Sequence, residues 1–118
     1  MSTLTGTSLP DRTTAPAATV LVVEDEQLVR KALVKLLEGA GFTVLAADGL
    51  DEALSVFTEH RIDVVVSDLV MPGGDGLELL EHVELRDPNV PVVIVTGHQS
   101  VESASRAVRQ GAFDYLVK

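Results

Sequence analysis

The sequence predicts a doubly wound α/β domain built on a five-stranded parallel sheet. Short β-branched blocks alternate with longer segments of helical periodicity. The blocks are apolar at consecutive positions, the pattern of strands buried between two helical layers. The resulting order, βαβαβαβαβ, calls for right-handed crossovers with helices on both faces of the sheet.

The elements follow in turn. Residues Met1 to Thr19 are rich in Ser, Thr, Pro and Ala and lack the apolar core of a signal peptide, so residues 1–19 read as a flexible tail. The folded unit then spans 20–118. Its first strand is Val20 to Val23. A helix follows with Leu28, Ala32, Leu33, Leu36 and Leu37 on one stripe, stopped by Gly39 and Gly41. Phe42 to Leu45 form the second strand. Leu50, Ala53, Leu54 and Phe57 mark the second helix, opened by Asp48. Ile62 to Val66 form the third strand. The third helix carries Leu77, Leu80 and Val83 and ends before Pro88, with Asp75 and Glu78 as a capping box. Val92 to Val95 form the fourth strand. The fourth helix, Ser100 to Gln110, offers only Val101, Ala104, Ala107 and Val108, so it buries little and docks least firmly. Phe113 to Val117 form the fifth strand. The chain stops there, so the last helix is expected to be missing, which leaves apolar surface of the final strands facing water.

Composition narrows the function. At 118 residues the chain makes one domain, and its 46% hydrophobic residues sit in blocks far shorter than the roughly 20 needed to span a bilayer. The absence of cysteine excludes disulfides, thiolate metal sites and cysteine nucleophiles, and fits a reducing, cytoplasmic setting. A net charge of −9 repels phosphate backbones and anionic lipid, which argues against nucleic acid and membrane as partners.

In such sheets ligands bind beyond the carboxyl ends of the strands. Strand one runs into Glu24-Asp25-Glu26 and strand three into Ser67-Asp68; strand four ends at Thr96-Gly97 and strand five at Lys118. Singly, each residue has an ordinary explanation. Asp25 could cap a helix, Asp68 could open a turn, Thr96 could satisfy backbone, and Lys118 could be solvated. Together they put three carboxylates, a hydroxyl and an ammonium on one rim. Clustered carboxylates repel unless a cation compensates them, and an all-oxygen donor set without His or Cys suits Mg²⁺. Lys118 and the Thr96 hydroxyl could then meet the oxygens of a phosphoryl group carried on a carboxylate.

These residues sit in motifs that resemble the receiver domains of two-component response regulators: LVVEDE at 21–26, VVVSDLVMPGGDGLELL at 64–80, VIVTGH at 93–98 and GAFDYLVK at 111–118. GAFDYLVK is similar to receivers of the nitrogen-regulatory type. The resemblance implies a flavodoxin-like sheet of order 2-1-3-4-5. It implies that Asp68 accepts a phosphoryl group from a phosphohistidine on a sensor histidine kinase or a histidine phosphotransfer protein. Asp25, Asp68 and the Val70 carbonyl would ligate Mg²⁺ directly, with Glu24 acting through metal-bound water. Thr96 and Lys118 would contact the phosphoryl group, and Tyr115 would be the aromatic switch. Phosphorylation would draw Thr96 inward, let Tyr115 rotate after it and alter the surface of the fourth helix and fifth strand. Catalysis would extend only to the domain's own phosphorylation and dephosphorylation. An effector domain or a hybrid kinase in the parent chain, and a homodimer through the switch surface, also follow from the resemblance.

Three alternatives compete. A haloacid-dehalogenase-like phosphatase would want an Asp where Val70 stands. A flavodoxin-like cofactor binder would want a phosphate loop where Glu24-Asp25-Glu26 would repel the ligand. A receiver-shaped interaction module that is never phosphorylated shares every site residue and differs only in use. The remaining candidates read structurally: Asp48, Asp51 and Glu52 suit a helix start, while His60 and His82 lack ligand partners. His98 could influence hydrolysis but is expected to be solvated. Met71-Pro72 and the glycines after it shape the loop that holds Asp68.

Overall fold

The computed structural model describes residues 17–71, 73–97 and 100–118. Residues 1–16 of the predicted tail lie outside them, as do Pro72 and His98. In chain order the elements are β1 (Thr19–Val23), α1 (Gln27–Gly39), β2 (Thr43–Ala47), α2 (Leu50–Glu59) and β3 (Val64–Ser67). Next come β4 (Val70–Met71), β5 (Gly74–Asp75), α3 (Gly76–Arg86), β6 (Val92–Thr96), α4 (Val101–Arg109) and β7 (Asp114–Val117). Five strands form one parallel sheet in the order β2-β1-β3-β6-β7. With the short pair β4-β5 set aside, this is the 2-1-3-4-5 order implied by the resemblance.

Strand boundaries shift slightly from the sequence reading. Thr19 belongs to β1, where it pairs with Thr43 and its carbonyl accepts from the Asp63 amide at 2.8 Å. The helix starts differ too. Asp48 does not cap α2: Gly49 occupies the cap position, and the Asp48 amide instead donates to Glu52 Oε1 at 2.8 Å. Asp75 does cap α3, accepting from the Glu78 amide at 2.9 Å. Gly41, at φ +100°, takes the left-handed turn that ends α1.

Side chains alternate across each strand. Leu21 and Val23 of β1, Val65 of β3, and Val92 and Ile94 of β6 are buried in one core with Leu50, Ala53, Leu79, Leu80 and Val83 of α2 and α3. The opposite face is thinner. Val64, Val66, Val93 and Val95 are only half-buried, and α1 has no buried residue. Leu28 and Leu36 of its predicted stripe are 79% and 69% exposed. Among the described residues there are four helices, of which α1 lies on this face. On α4 only Ala107 is buried, while Val101 and Val108 face outward, in keeping with a lightly docked helix.

Candidate functional site at the carboxyl rim of the sheet

The sheet ladder continues one residue beyond three strand ends. The Glu24 amide donates to the Ala47 carbonyl at 3.0 Å, the Asp68 amide to Val23 at 2.9 Å, and the Lys118 amide to Thr96 at 3.0 Å. Each of these residues is thus fixed by its neighbour strand just where its own strand ends. Parallel register brings them to a common height, so residues 94 positions apart meet.

They meet through side chains. Lys118 Nζ donates to Glu24 Oε1 at 2.6 Å and to Asp68 Oδ2 at 3.0 Å. Glu24 and Asp68 are buried, at 1% and 6% exposure, so the ammonium is their local counter-charge. Burial works against that ammonium, but the hydrogen bonds to Glu24 and Asp68 and the charges of both carboxylates outweigh it. Lys118 is held above its ordinary value of 10.5.

Backbone amides complete the acids. The Glu26 amide donates to Glu24 Oε2 at 3.1 Å, and the Leu69 and Val70 amides donate to Asp68 Oδ1 at 2.6 and 3.4 Å. Arg30 reaches back from α1 to the carbonyls of Glu24 at 2.9 Å and Asp25 at 3.3 Å, pinning the acidic turn. Asp25 is exposed and is not the cap of α1, a position taken by Glu26. It lines a depression of about 400 Å³ together with Asp48, Asp51, Glu52 and Gly73.

Behind Asp68 the chain closes on itself. Val70–Met71 pairs antiparallel with Gly74–Asp75, a short ribbon where the sequence predicts a loop. Gly73 turns it at φ +82°. The Gly76 amide donates to the Leu69 carbonyl at 2.7 Å, and the buried Ser67 hydroxyl donates to the Asp68 carbonyl at 2.8 Å. Thr96, fully buried, ends β6, and Tyr115 packs against the core with its hydroxyl 2.8 Å from Ser103 Oγ.

One carboxylate oxygen each from Glu24, Asp25 and Asp68 lies within 4.8 Å of the others. Three carboxylates against one ammonium leave two formal negative charges in the cluster. The donors are oxygen throughout. That set fits a hard divalent cation held against an anion.

The profile of the response regulator receiver domain matches residues 20–118. The chain belongs to the response regulator receiver family. It is 42% identical over 99 residues to the DNA-binding transcriptional regulator NtrC of Salmonella typhimurium, which agrees with a nitrogen-regulatory type of receiver. That match covers 84% of this chain and 21% of the regulator, so the chain spans about a fifth of the relative. A receiver domain protein of Clostridium thermocellum superposes with a TM-score of 0.81 at 39% identity, covering 86% of this chain and 82% of that one. The response regulator TrrA of Thermotoga maritima, solved in complex with Mg²⁺ and BeF, gives 0.78 at 29% identity, with 86% of each chain covered.

In this receiver, then, Glu24, Asp68 and Lys118 form one bonded cluster that Asp25 adjoins. Thr96 and Tyr115 lie on one face of the sheet beside it, since Ile94 pairs with Tyr115 and Thr96 with Val117. Among the described residues, no helix is long and apolar enough to cross a membrane. Arg30, Ser67 and Gly76 were missed by the sequence reading. Arg30 lies outside the motifs and Ser67 and Gly76 inside one, but each acts on a backbone carbonyl that only the folded turn brings near.

Proposed function

We propose that this receiver accepts a phosphoryl group on Asp68 from a phosphohistidine of a sensor histidine kinase or phosphotransfer protein, in the cytoplasm. The observation that carries the reading is the Lys118 ammonium between Glu24 and Asp68. It places a fixed positive charge at the carboxylate where phosphoryl oxygens would arrive. In the transfer, the nitrogen–phosphorus bond of the donor breaks and a bond forms from an Asp68 carboxylate oxygen to phosphorus; the histidine keeps the electron pair.

Glu24, Asp25, Asp68 and the Val70 carbonyl would hold Mg²⁺, which when bound offsets the charge of the acids and of the phosphoryl oxygens. The chain's own residues do the rest. The Leu69 and Val70 amides orient Asp68, Arg30 holds the acidic turn, and Lys118 meets a phosphoryl oxygen. The Thr96 hydroxyl meets another, and Tyr115, on the same face, follows it and resets the α4–β7 surface. The only turnover is the domain's own phosphorylation and dephosphorylation. An effector domain in the parent chain fits the relatives' greater length, and a homodimer would use the switch surface.

Beryllofluoride with Mg²⁺ tests the site. A bound fluorine signal is expected for the native protein and none for Asp68→Asn. Equal binding by both would refute Asp68 as the acceptor.

A further inference from the structure

Ser103, in the first turn of α4, holds its hydroxyl oxygen 2.8 Å from the Tyr115 hydroxyl. The same Ser103 Oγ is also half of a capping box. It accepts from the Ser100 amide at 3.2 Å and lies 3.0 Å from Ser100 Oγ and 3.1 Å from the Ser100 carbonyl. Its own amide donates to Ser100 Oγ at 3.0 Å. A hydroxyl has one proton to give and two lone pairs to receive with. With the proton directed to the Ser100 carbonyl, the Ser100 amide, the Ser100 hydroxyl and the Tyr115 hydroxyl compete for two lone pairs. The tyrosine bond and the helix cap therefore draw on the same atom.

We propose that Ser103 is a positioning residue that latches the Tyr115 ring against the first turn of α4 and couples its setting to the cap of that helix. The helix is suited to such a device, because Ala107 is its only buried residue and little packing resists a change at its start. The cap contacts themselves hold α4 in register while the latch is closed. Release of Tyr115 returns a lone pair of Ser103 to the cap, so the two settings of the ring correspond to two bonding patterns at the head of α4. The consequence for signalling rests on the switch reading above; the latch itself does not.

Tyr115 is the only tyrosine and the chain has no tryptophan, so 3-fluorotyrosine gives a single fluorine reporter on this ring. In protein free of Mg²⁺, Ser103→Ala is expected to move that resonance and Ser103→Thr to restore it. Ser100→Ala, which breaks the cap and leaves the Ser103 hydroxyl, is expected to leave it near the native position. A native resonance in Ser103→Ala, or the same displacement in Ser100→Ala, would overturn the latch. With Mg²⁺ present, Ser103→Ala should lower the beryllofluoride concentration for half-saturation about 2- to 10-fold, the worth of one hydrogen bond. Tyr115→Phe removes that bond without touching the cap and should show the same gain, read from the bound beryllofluoride signal; no gain would overturn the coupling. If beryllofluoride binds but leaves the native tyrosine resonance unmoved, the switch reading fails, while the Mg²⁺-free comparison still decides the latch.

Discussion

Lys118 Nζ lies 2.6 Å from Glu24 Oε1, which joins the end of the last strand to the end of the first. Glu24 is buried and its other oxygen is bonded to the Glu26 amide, so its charge has few alternative partners nearby. The same ammonium serves Asp68, which makes Lys118 the internal counter-ion of the site in the absence of a metal. Burying carboxylates in this way is costly unless they are paired.

Lys118→Met should therefore destabilise the protein by about 2 kcal/mol in chelator, because two buried acids lose a charged hydrogen bond each and gain none. The loss should shrink in excess Mg²⁺. Urea unfolding of both proteins, with EDTA and with Mg²⁺, measures the difference.

The pH dependence has a definite sign. The Lys118 value is raised on folding, so the pair contributes fully below the unfolded value of 10.5 and is lost as pH rises through the higher folded value. The stability gap between native protein and Lys118→Met should stay level from pH 8 to about 10 and close above that range.

Gly76 is fixed by backbone. A Cβ there would meet the Asp68 carbonyl oxygen at 2.5 Å, whereas one at Gly74 would meet the Leu50 side chain, which can turn aside. Gly76→Ala should cost about 1–3 kcal/mol and weaken beryllofluoride binding by displacing Asp68. Gly74→Ala should have the smaller effect on binding. Thermal unfolding and a beryllofluoride titration compare them.

These residues show where the sequence was legible. Short, continuously apolar blocks and the acids at the strand ends made the sheet and the rim readable, because a buried run and the position of its last residue are local properties. Asp68, Lys118 and Glu24 could be assigned to one rim for that reason. Their bonding could not. That Lys118 pairs with Glu24 as well as Asp68 depends on register between strands far apart in sequence. Asp48 misled because a free helix-start acid and one whose amide is held by Glu52 look identical in one dimension. The β4–β5 ribbon was too short for a periodic pattern, and Arg30 acts on carbonyls that carry no sequence signal.

Arg30→Ala should loosen the acidic turn and so lower Mg²⁺ affinity, while Asp25→Asn, on the proposed ligand set, should lower it further. Mg²⁺ at about 100 times its Kd should stabilise the native protein by about 2.7 kcal/mol. At the same concentration the gain should be smaller in Arg30→Ala and nearly absent in Asp25→Asn. Calorimetric Mg²⁺ titration gives the order directly.

The most direct test is intact-mass analysis after incubation with acetyl phosphate and Mg²⁺. The native protein should gain the mass of one phosphoryl group, with Asp68 as the modified residue, and Asp68→Asn should gain none. A folded native protein that takes up no phosphoryl group, or an Asp68→Asn variant labelled to the same extent, would contradict the account.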